Sequence, residues 1–319
     1  MKLTRRSIIT LPALAAGLSS CGKTGKRTIA VIPKGRSHLF WQSVHAGAVA
    51  AARETNVDIA WNGPSTEADF NGQIQVVESM INRHVDAIAL APIDKKVMVS
   101  VVERAAAQKI PVVIFDSPVD TDKFVSQVAT DNYAAGKMAA ERVGALLKGK
   151  GKIFIVACQV GAASTMAREQ GFEDKIKEAF PDIKILDKRY GMSEVAPSRT
   201  VAENMLTAYP EAQAVFASNE SSSVGAALAL KARKSTAKMV GFDFGPTLEE
   251  DMKLGVIDSL VVQHPFKMGY ESVMAAVAAL DGKPVEKIKN LAPRLVTKDN
   301  LNEPEVQAQV HPDLKKYLD

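Results

Sequence analysis

Two apolar runs in this chain end on an acid, Val113-Ile114-Phe115-Asp116 and Val240-Gly241-Phe242-Asp243. Each run reads as a buried parallel strand. In open α/β sheets ligands sit outside the carboxyl ends of the strands, so both aspartates belong at a binding edge. An ionised carboxylate only accepts hydrogen bonds, and it accepts more than one, which suits a ligand rich in donors. Turnover has no comparable signature. The five histidines, His38, His45, His84, His264 and His311, show no paired metal spacing. No Gly-x-Ser-x-Gly elbow is present. Gly144-Ala145-Leu146-Leu147-Lys148-Gly149-Lys150 has the spacing of a P-loop, but Gly151 stands where Ser or Thr belongs, and the segment ends a helix instead of opening one. No catalytic residue, metal or cofactor is expected.

The elements that must hold the aspartates alternate along the chain, apolar runs with amphipathic stretches, as in βαβ units. The expected strands are Thr28–Ile32, Val57–Trp61, Ala87–Leu90, Val112–Phe115 and Val125–Val128, then Lys152–Ala157, Ile183–Leu186, Ala214–Ala217, Lys238–Phe242 and Ser259–Val262. Expected helices are Phe40–Glu54, Asn71–Arg83, Val97–Lys109, Asn132–Leu147, Thr165–Ala179, Ser198–Ala208, Ser221–Lys231 and Pro265–Leu280. The pattern predicts two doubly wound parallel-sheet lobes, one repeating the other, with a cleft between facing strand ends. The stretch from Leu291 to Asp319 is more polar and is expected to be irregular and to pack across the lobes. The expected division is 28–130 with 264–289 as the N-terminal lobe, and 131–263 with 290–319 as the C-terminal lobe, joined by a hinge that crosses near Asp131, Gln263 and Asn290.

A chain of 319 residues, 46% hydrophobic and 24% charged, has the material for two cores. Residues 1–20 read as an export leader: Arg5 and Arg6 precede an apolar run broken by Pro12, and the run is far shorter than the roughly 20 residues of a membrane-spanning helix. Leu18-Ser19-Ser20-Cys21 resembles a bacterial lipobox, so Cys21 is the expected lipidation site and 21–27 the lipid-anchored tether. Thr4-Arg5-Arg6-Ser7-Ile8-Ile9 also resembles a twin-arginine signal. The formal charge of +4 includes Lys2, Arg5 and Arg6 while the leader holds no acid, leaving +1 on the mature chain. Its basic residues are interspersed with acids, which argues against a nucleic-acid partner. Cys158, left without a disulfide partner after Cys21 is acylated, is expected as a buried structural thiol.

From Thr28 to about Val296 the chain resembles the type I periplasmic binding proteins, the ribose-binding and related sugar receptors of ABC importers. The resemblance rests on Val113 to Ser117, Ala167-Arg168-Glu169-Gln170-Gly171-Phe172, Ala214-Val215-Phe216-Ala217-Ser218-Asn219, Val240 to Asp243, and Gln263 just before Pro265, all in family order. It implies that Asp116, Arg168, Asn219, Asp243 and Gln263 hydrogen-bond sugar hydroxyls, and that Phe40 or Trp41 packs on the apolar face of the ring. Taken alone, Asp243 and Asn219 also read as helix caps, and Arg168 as part of a solvated helix face.

The chain departs from the ribose-binding pattern in its first loop, where Lys34 and His38 replace polar Ser and Asn positions with Arg36 between them, and at Ser117, where the family has Arg. Lys34 then either meets an acidic group on the ligand, balances Asp116, Asp243 and Glu220, or sits in a solvated loop. The family's second-lobe aromatic falls near Met192 or Ser193. The resemblance, with the lipobox-like Leu18 to Cys21, implies a monomeric, lipid-anchored receptor at the periplasm or cell surface that captures a monosaccharide or small polyol for an ABC permease. Its rivals are a membrane sensor subunit, a sugar-processing enzyme, and a lactose-repressor-like regulator, which would carry a DNA-binding domain where this chain has its leader.

Overall fold

The computed structural model describes residues 25–318; the leader and Cys21 lie outside the described residues. The chain runs β1 (Thr28–Ile32), α1 (Leu39–Thr55), β2 (Asp58–Trp61), α2 (Phe70–Asn82), β3 (Ala87–Leu90), α3 (Val99–Ala107), β4 (Val112–Phe115) and β5 (Ser126–Thr130). It continues through α4 (Asn132–Leu146), β6 (Lys150–Ala157), α5 (Ala163–Ala179), β7 (Asp182–Tyr190), α6 (Val195–Ala208), β8 (Ala214–Ala217), α7 (Glu220–Arg233) and β9 (Lys238–Phe242). Then come α8 (Pro246–Leu254), β10 (Ser259–Val262), α9 (Pro265–Leu280), β11 (Ile288–Leu291), β12 (Arg294–Thr297), α10 (Pro304–Val310) and α11 (Lys315–Leu318).

Two six-stranded sheets result, ordered β11-β5-β4-β3-β1-β2 and β12-β10-β9-β8-β6-β7. The orders correspond strand for strand, so the second lobe repeats the first. Every pairing is parallel except that of β10 with β12. Both faces of each sheet are covered, because successive side chains of a strand point opposite ways. In β1, Ile29 and Val31 join a core with Val44 of α1 and Met268 of α9, while Ala30 and Ile32 join one with Ile81 of α2 and Val102 of α3. In β6, Ile153 and Ile155 pack with Ala139 of α4 and Phe172 of α5, and Phe154 and Val156 with Met205 of α6 and Leu230 of α7.

The tail departs from the irregular segment expected. Strand β12 closes the second sheet, Val306 of α10 is buried in that lobe's core, and Tyr317 of α11 lies 5.4 Å from Phe266 of α9 in the other. Strands β11 and β12 are half-exposed edges, so neither shows a continuous apolar run. Helix α8 follows Asp243, where the cap reading places a helix without giving its bounds; Pro246 at its start and Gly255 in left-handed conformation after its end are ordinary helix punctuation.

Each lobe contains a helix pair joined by reciprocal glycine-to-backbone contacts. A Cβ on Gly47 would collide with Phe266 O and one on Gly269 with Val44 O, joining α1 to α9. Gly136 and Gly171 meet Arg168 O and Tyr133 O in the same reciprocal way, joining α4 to α5. A methyl group there must push rigid backbone aside, and overpacking costs about 1–3 kcal/mol. Gly136→Ala is therefore expected to destabilise the second lobe by that amount, measured by denaturant unfolding followed by circular dichroism.

Candidate functional site

Asp116 and Asp243 occupy equivalent places, one residue beyond β4 and β9. Both have left-handed backbone, φ 60° and 67°, which aspartate tolerates better than most residues. Each N–H is anchored to the neighbouring strand, Asp116 N to Val128 O and Asp243 N to Val261 O, both at 3.0 Å. The two carboxylates face one cavity between the lobes, lined also by Lys34, His38, Phe40, Trp41, Arg168, Asn219 and Gln263. Nine of the ten residues expected at the site thus converge. Ser117 is the exception: it is fully buried outside the lining, and its hydroxyl accepts the Ser164 N–H at 3.0 Å.

Arg168 is 2% exposed, not on a solvated helix face. Its Nε donates to Asn132 Oδ1 at 2.8 Å and its Nη1 to Ser218 O at 3.0 Å, while its guanidinium lies 4.5 Å from the Phe242 ring centre. Asn219 does cap α7, accepting from Ser222 N at 3.1 Å, and still lines the cavity. Asp243 does not cap α8, whose cap is Gly245; it accepts from Glu220 N at 2.8 Å and Gln263 Nε2 at 2.7 Å. Gln263 Oε1 in turn accepts from Thr130 Oγ1 at 2.8 Å, tying together the places where the chain passes between the lobes. Phe40 and Trp41 meet edge to face, 4.8 Å between centres, and Trp41 reaches Phe115 at 6.3 Å.

Lys34 is 3% exposed, which overturns the solvated-loop reading, and its Nζ lies 2.6 Å from Asp116 Oδ2 and 3.0 Å from Ser164 Oγ. Asp116 Oδ2 receives no well-aligned hydrogen bond, so the Lys34 contact is one of charge. Arg36 is exposed. Met192, 50% exposed, lies outside the lining, and Ser193 donates to Glu67 Oε2 at 2.8 Å, so no aromatic closes the second-lobe side at these positions.

Glu67, Ser164, Thr165 and Glu220 also line the cavity and were not expected there. Ser164 and Thr165 sit one turn before Arg168 on α5, a spacing that puts them on its face. Glu67 lies in the loop after β2, where no strand end or helix pattern marks it. It accepts from Trp41 Nε1 at 2.7 Å, pairs with His38 Nδ1 at 2.9 Å, and its carbonyl accepts from Gln159 Nε2 at 2.9 Å. Cys158, free and buried, has its thiol pushed up to about 12 by burial and then by the Glu67 charge.

Burial works against charge throughout the cleft. It favours neutral His38, but the hydrogen bond and charge of Glu67, with Glu220 and Asp243, carry the imidazole from 6.5 to about 9. Burial likewise opposes the Glu67 carboxylate, yet His38, Lys34 and the Trp41 indole bring it from 4.5 to about 2. For Glu220 burial prevails and raises the carboxyl to about 6, despite the His38 charge. Burial also raises Asp243, against the pull of Arg168 and Gln263. The His38–Glu67 pair therefore stabilises fully between about pH 4.5 and 6.5, and its contribution falls as pH rises through about 9 or drops through about 2. Accordingly, His38→Gln is expected to flatten the decline in melting temperature between pH 6.5 and 9.

Among the described residues no cluster of metal-ligating side chains and no helix able to cross a membrane is found. The model of the periplasmic binding protein domain matches residues 29–284. A D-ribose/D-allose-binding protein of Pseudomonas aeruginosa is 28% identical over 275 residues, covering 83% of this chain and 86% of that protein. The ribose import binding protein of Bacillus subtilis is 28% identical over 269 residues, covering 84% and 87%. Among solved structures, a carbohydrate transporter solute binding protein from Agrobacterium radiobacter in complex with D-arabinose aligns with TM-score 0.88 and 31% identity, over 90% of this chain and 99% of that one. A solute binding protein of an ABC transporter from Agrobacterium vitis with bound D-fucose aligns with TM-score 0.87 and 33% identity, over 89% and 100%. With these matches and the two repeated lobes, the chain belongs to the periplasmic binding protein domain family and has the type I fold.

Proposed function

We propose that this protein is an extracytoplasmic receptor that binds a monosaccharide or small polyol between its lobes and delivers it to an ABC importer without turning it over. The observation that carries this reading is the pair Asp116 and Asp243, one carboxylate from each lobe, facing one cavity beside Arg168, Asn219 and Gln263. Sugar hydroxyls donate and accept at once, so carboxylates take two donors while Arg and Asn supply donors to ring and hydroxyl oxygens. The free space among these side chains is about 30 Å³, room for water but not for a sugar ring. Entry therefore requires the lobes to part, and a bound sugar bridging both would hold them together.

In this reading Cys21 carries the lipid anchor, Gly22 to Arg27 form the tether, and the receptor works as a monomer. A thermal-shift panel of pentoses, hexoses, inositols and pentitols tests the binding claim. A cognate sugar at a hundredfold its Kd adds about 2.7 kcal/mol to stability. A panel in which no compound raises the melting temperature would overturn the reading.

A further inference from the structure

We propose that Glu220 sets the charge selectivity of this cleft: reaching across from the second lobe, it occupies the positive end of α1 and thereby excludes anionic ligands. The inference rests on the sugar-receptor reading and adds which sugars are turned away.

Helix α1 enters the cleft with Phe40 and Trp41 in its first turn, and its own lobe leaves that end open. The N-cap residue His38 makes no side-chain cap, and the first turn holds no acid. The first amide groups of a helix need acceptors and carry the positive end of its dipole, the position that favours a ligand carboxylate or phosphate. Here Glu220 takes that position. Its Oε1 lies 3.3 Å from Leu39 N and its Oε2 3.2 Å from Phe40 N. Glu220 itself opens α7, and its own N–H donates to Asp243. Two helix amino termini from opposite lobes thus meet at the cavity, and both are served by the protein's own acids.

Two of the remaining positive groups are paired with acids and the third is partly engaged. Lys34 pairs with Asp116 at 2.6 Å, His38 with Glu67 at 2.9 Å, and Arg168 spends its Nε and Nη1 on Asn132 and Ser218. Against these cations stand Asp116, Glu67, Asp243 and Glu220, all lining the same cavity. In this cavity the buried Asp116 Oδ2 is met by the Lys34 charge without a well-aligned hydrogen bond, which leaves the carboxylate with acceptor capacity suited to a donor such as a hydroxyl. An anionic ligand would have to compete with Asp116 and Glu67 for Lys34 and His38, would have only the remaining N–H groups of Arg168 to meet, and would face four acids lining the same cavity. Asp116 and Glu67 pair with Lys34 and His38, and Asp243 accepts from Gln263 Nε2 and Glu220 N, whereas the Glu220 carboxylate is held by backbone amides of the facing lobe, so removing it vacates the α1 terminus with little disturbance to its own lobe.

The test compares sugars matched in ring stereochemistry and carbon number that differ in whether C6 is a carboxylate: D-allose with D-alluronate, L-galactose with L-galacturonate, and D-fucose with D-galacturonate. Affinities are measured by calorimetry on wild type, Glu220→Gln and Glu220→Ala, with folding checked by circular dichroism. Wild type is expected to bind a neutral member and to bind its uronate at least tenfold more weakly. In both variants that ratio is expected to shrink at least tenfold, through tighter uronate binding. A wild type that binds the uronate as tightly as its neutral partner, or variants whose ratio stays unchanged because both affinities fall together, would overturn the role of Glu220 while leaving the receptor reading intact. Failure of every neutral sugar to bind the folded wild type would instead overturn the receptor reading, and the selectivity with it.

Discussion

Asp243→Ala is expected to bind the cognate sugar about tenfold to more than a hundredfold more weakly than wild type. Asp243 is 6% exposed and already accepts from Gln263 Nε2 and Glu220 N, one on each oxygen. Each carboxylate oxygen retains acceptor capacity for a sugar hydroxyl. A hydrogen bond to a charged group is worth about 1.5–3 kcal/mol, which converts to the stated range in Kd. The loss is separable from misfolding. Burial raises the Asp243 carboxyl, so at neutral pH its ionised form works against folding, and Arg168 and Gln263 offset only part of that. Asp243→Asn removes the buried charge but turns its NH2 toward one of the two donors, Gln263 Nε2 or Glu220 N, so it is expected to stay folded while losing affinity, as read by calorimetry beside thermal unfolding.

Arg168→Ala is expected to lose both sugar binding and about 3–5 kcal/mol of stability in the second lobe. The guanidinium is the buried cation that opposes Asp243, and removing one side of a buried charge relationship leaves the other uncompensated. Asn132 Oδ1 and Ser218 O would lose their donors, and the Phe242 ring its cation. Arg168→Met retains much of the volume and should recover part of the stability without recovering binding. Both tryptophans, Trp41 and Trp61, belong to the first lobe, so circular dichroism and not tryptophan fluorescence must follow the transition.

The strand-end acids were legible because a parallel strand buried on both faces is a continuous apolar run, and its carboxyl end has one geometric meaning. Asp116 and Asp243 followed from that alone, and the order of Arg168, Asn219 and Gln263 came with the family resemblance. Glu67 was not legible. It sits in a loop, and its partners His38, Trp41 and Ser193 come from three separate segments, so nothing local marks it. Glu220 was visible as a charge beside Asn219, yet its role at α1 exists only across the lobes. Lys34 posed a different problem, since its side chain was compatible with a free cation or a paired one, and only the 2.6 Å approach to Asp116 decides between them. Ser117 adjoins Asp116 in sequence, but the chain has left the strand with Asp116 in left-handed conformation, and the Ser117 hydroxyl turns to the Ser164 N–H outside the cavity lining. The tail strands escaped notice because edge strands need no continuous apolar pattern.

The most direct measurement is a calorimetric titration of the folded wild-type chain with D-ribose, D-arabinose, D-allose, D-fucose and xylitol, repeated on Asp243→Ala. Binding in the cleft predicts one saturable site per chain for at least one of them, with a negative heat-capacity change as the ligand leaves water, and an affinity at least tenfold weaker in the variant. No saturable heat with any of the five, or a sugar bound equally well by Asp243→Ala, would contradict the placement of the ligand between Asp116 and Asp243.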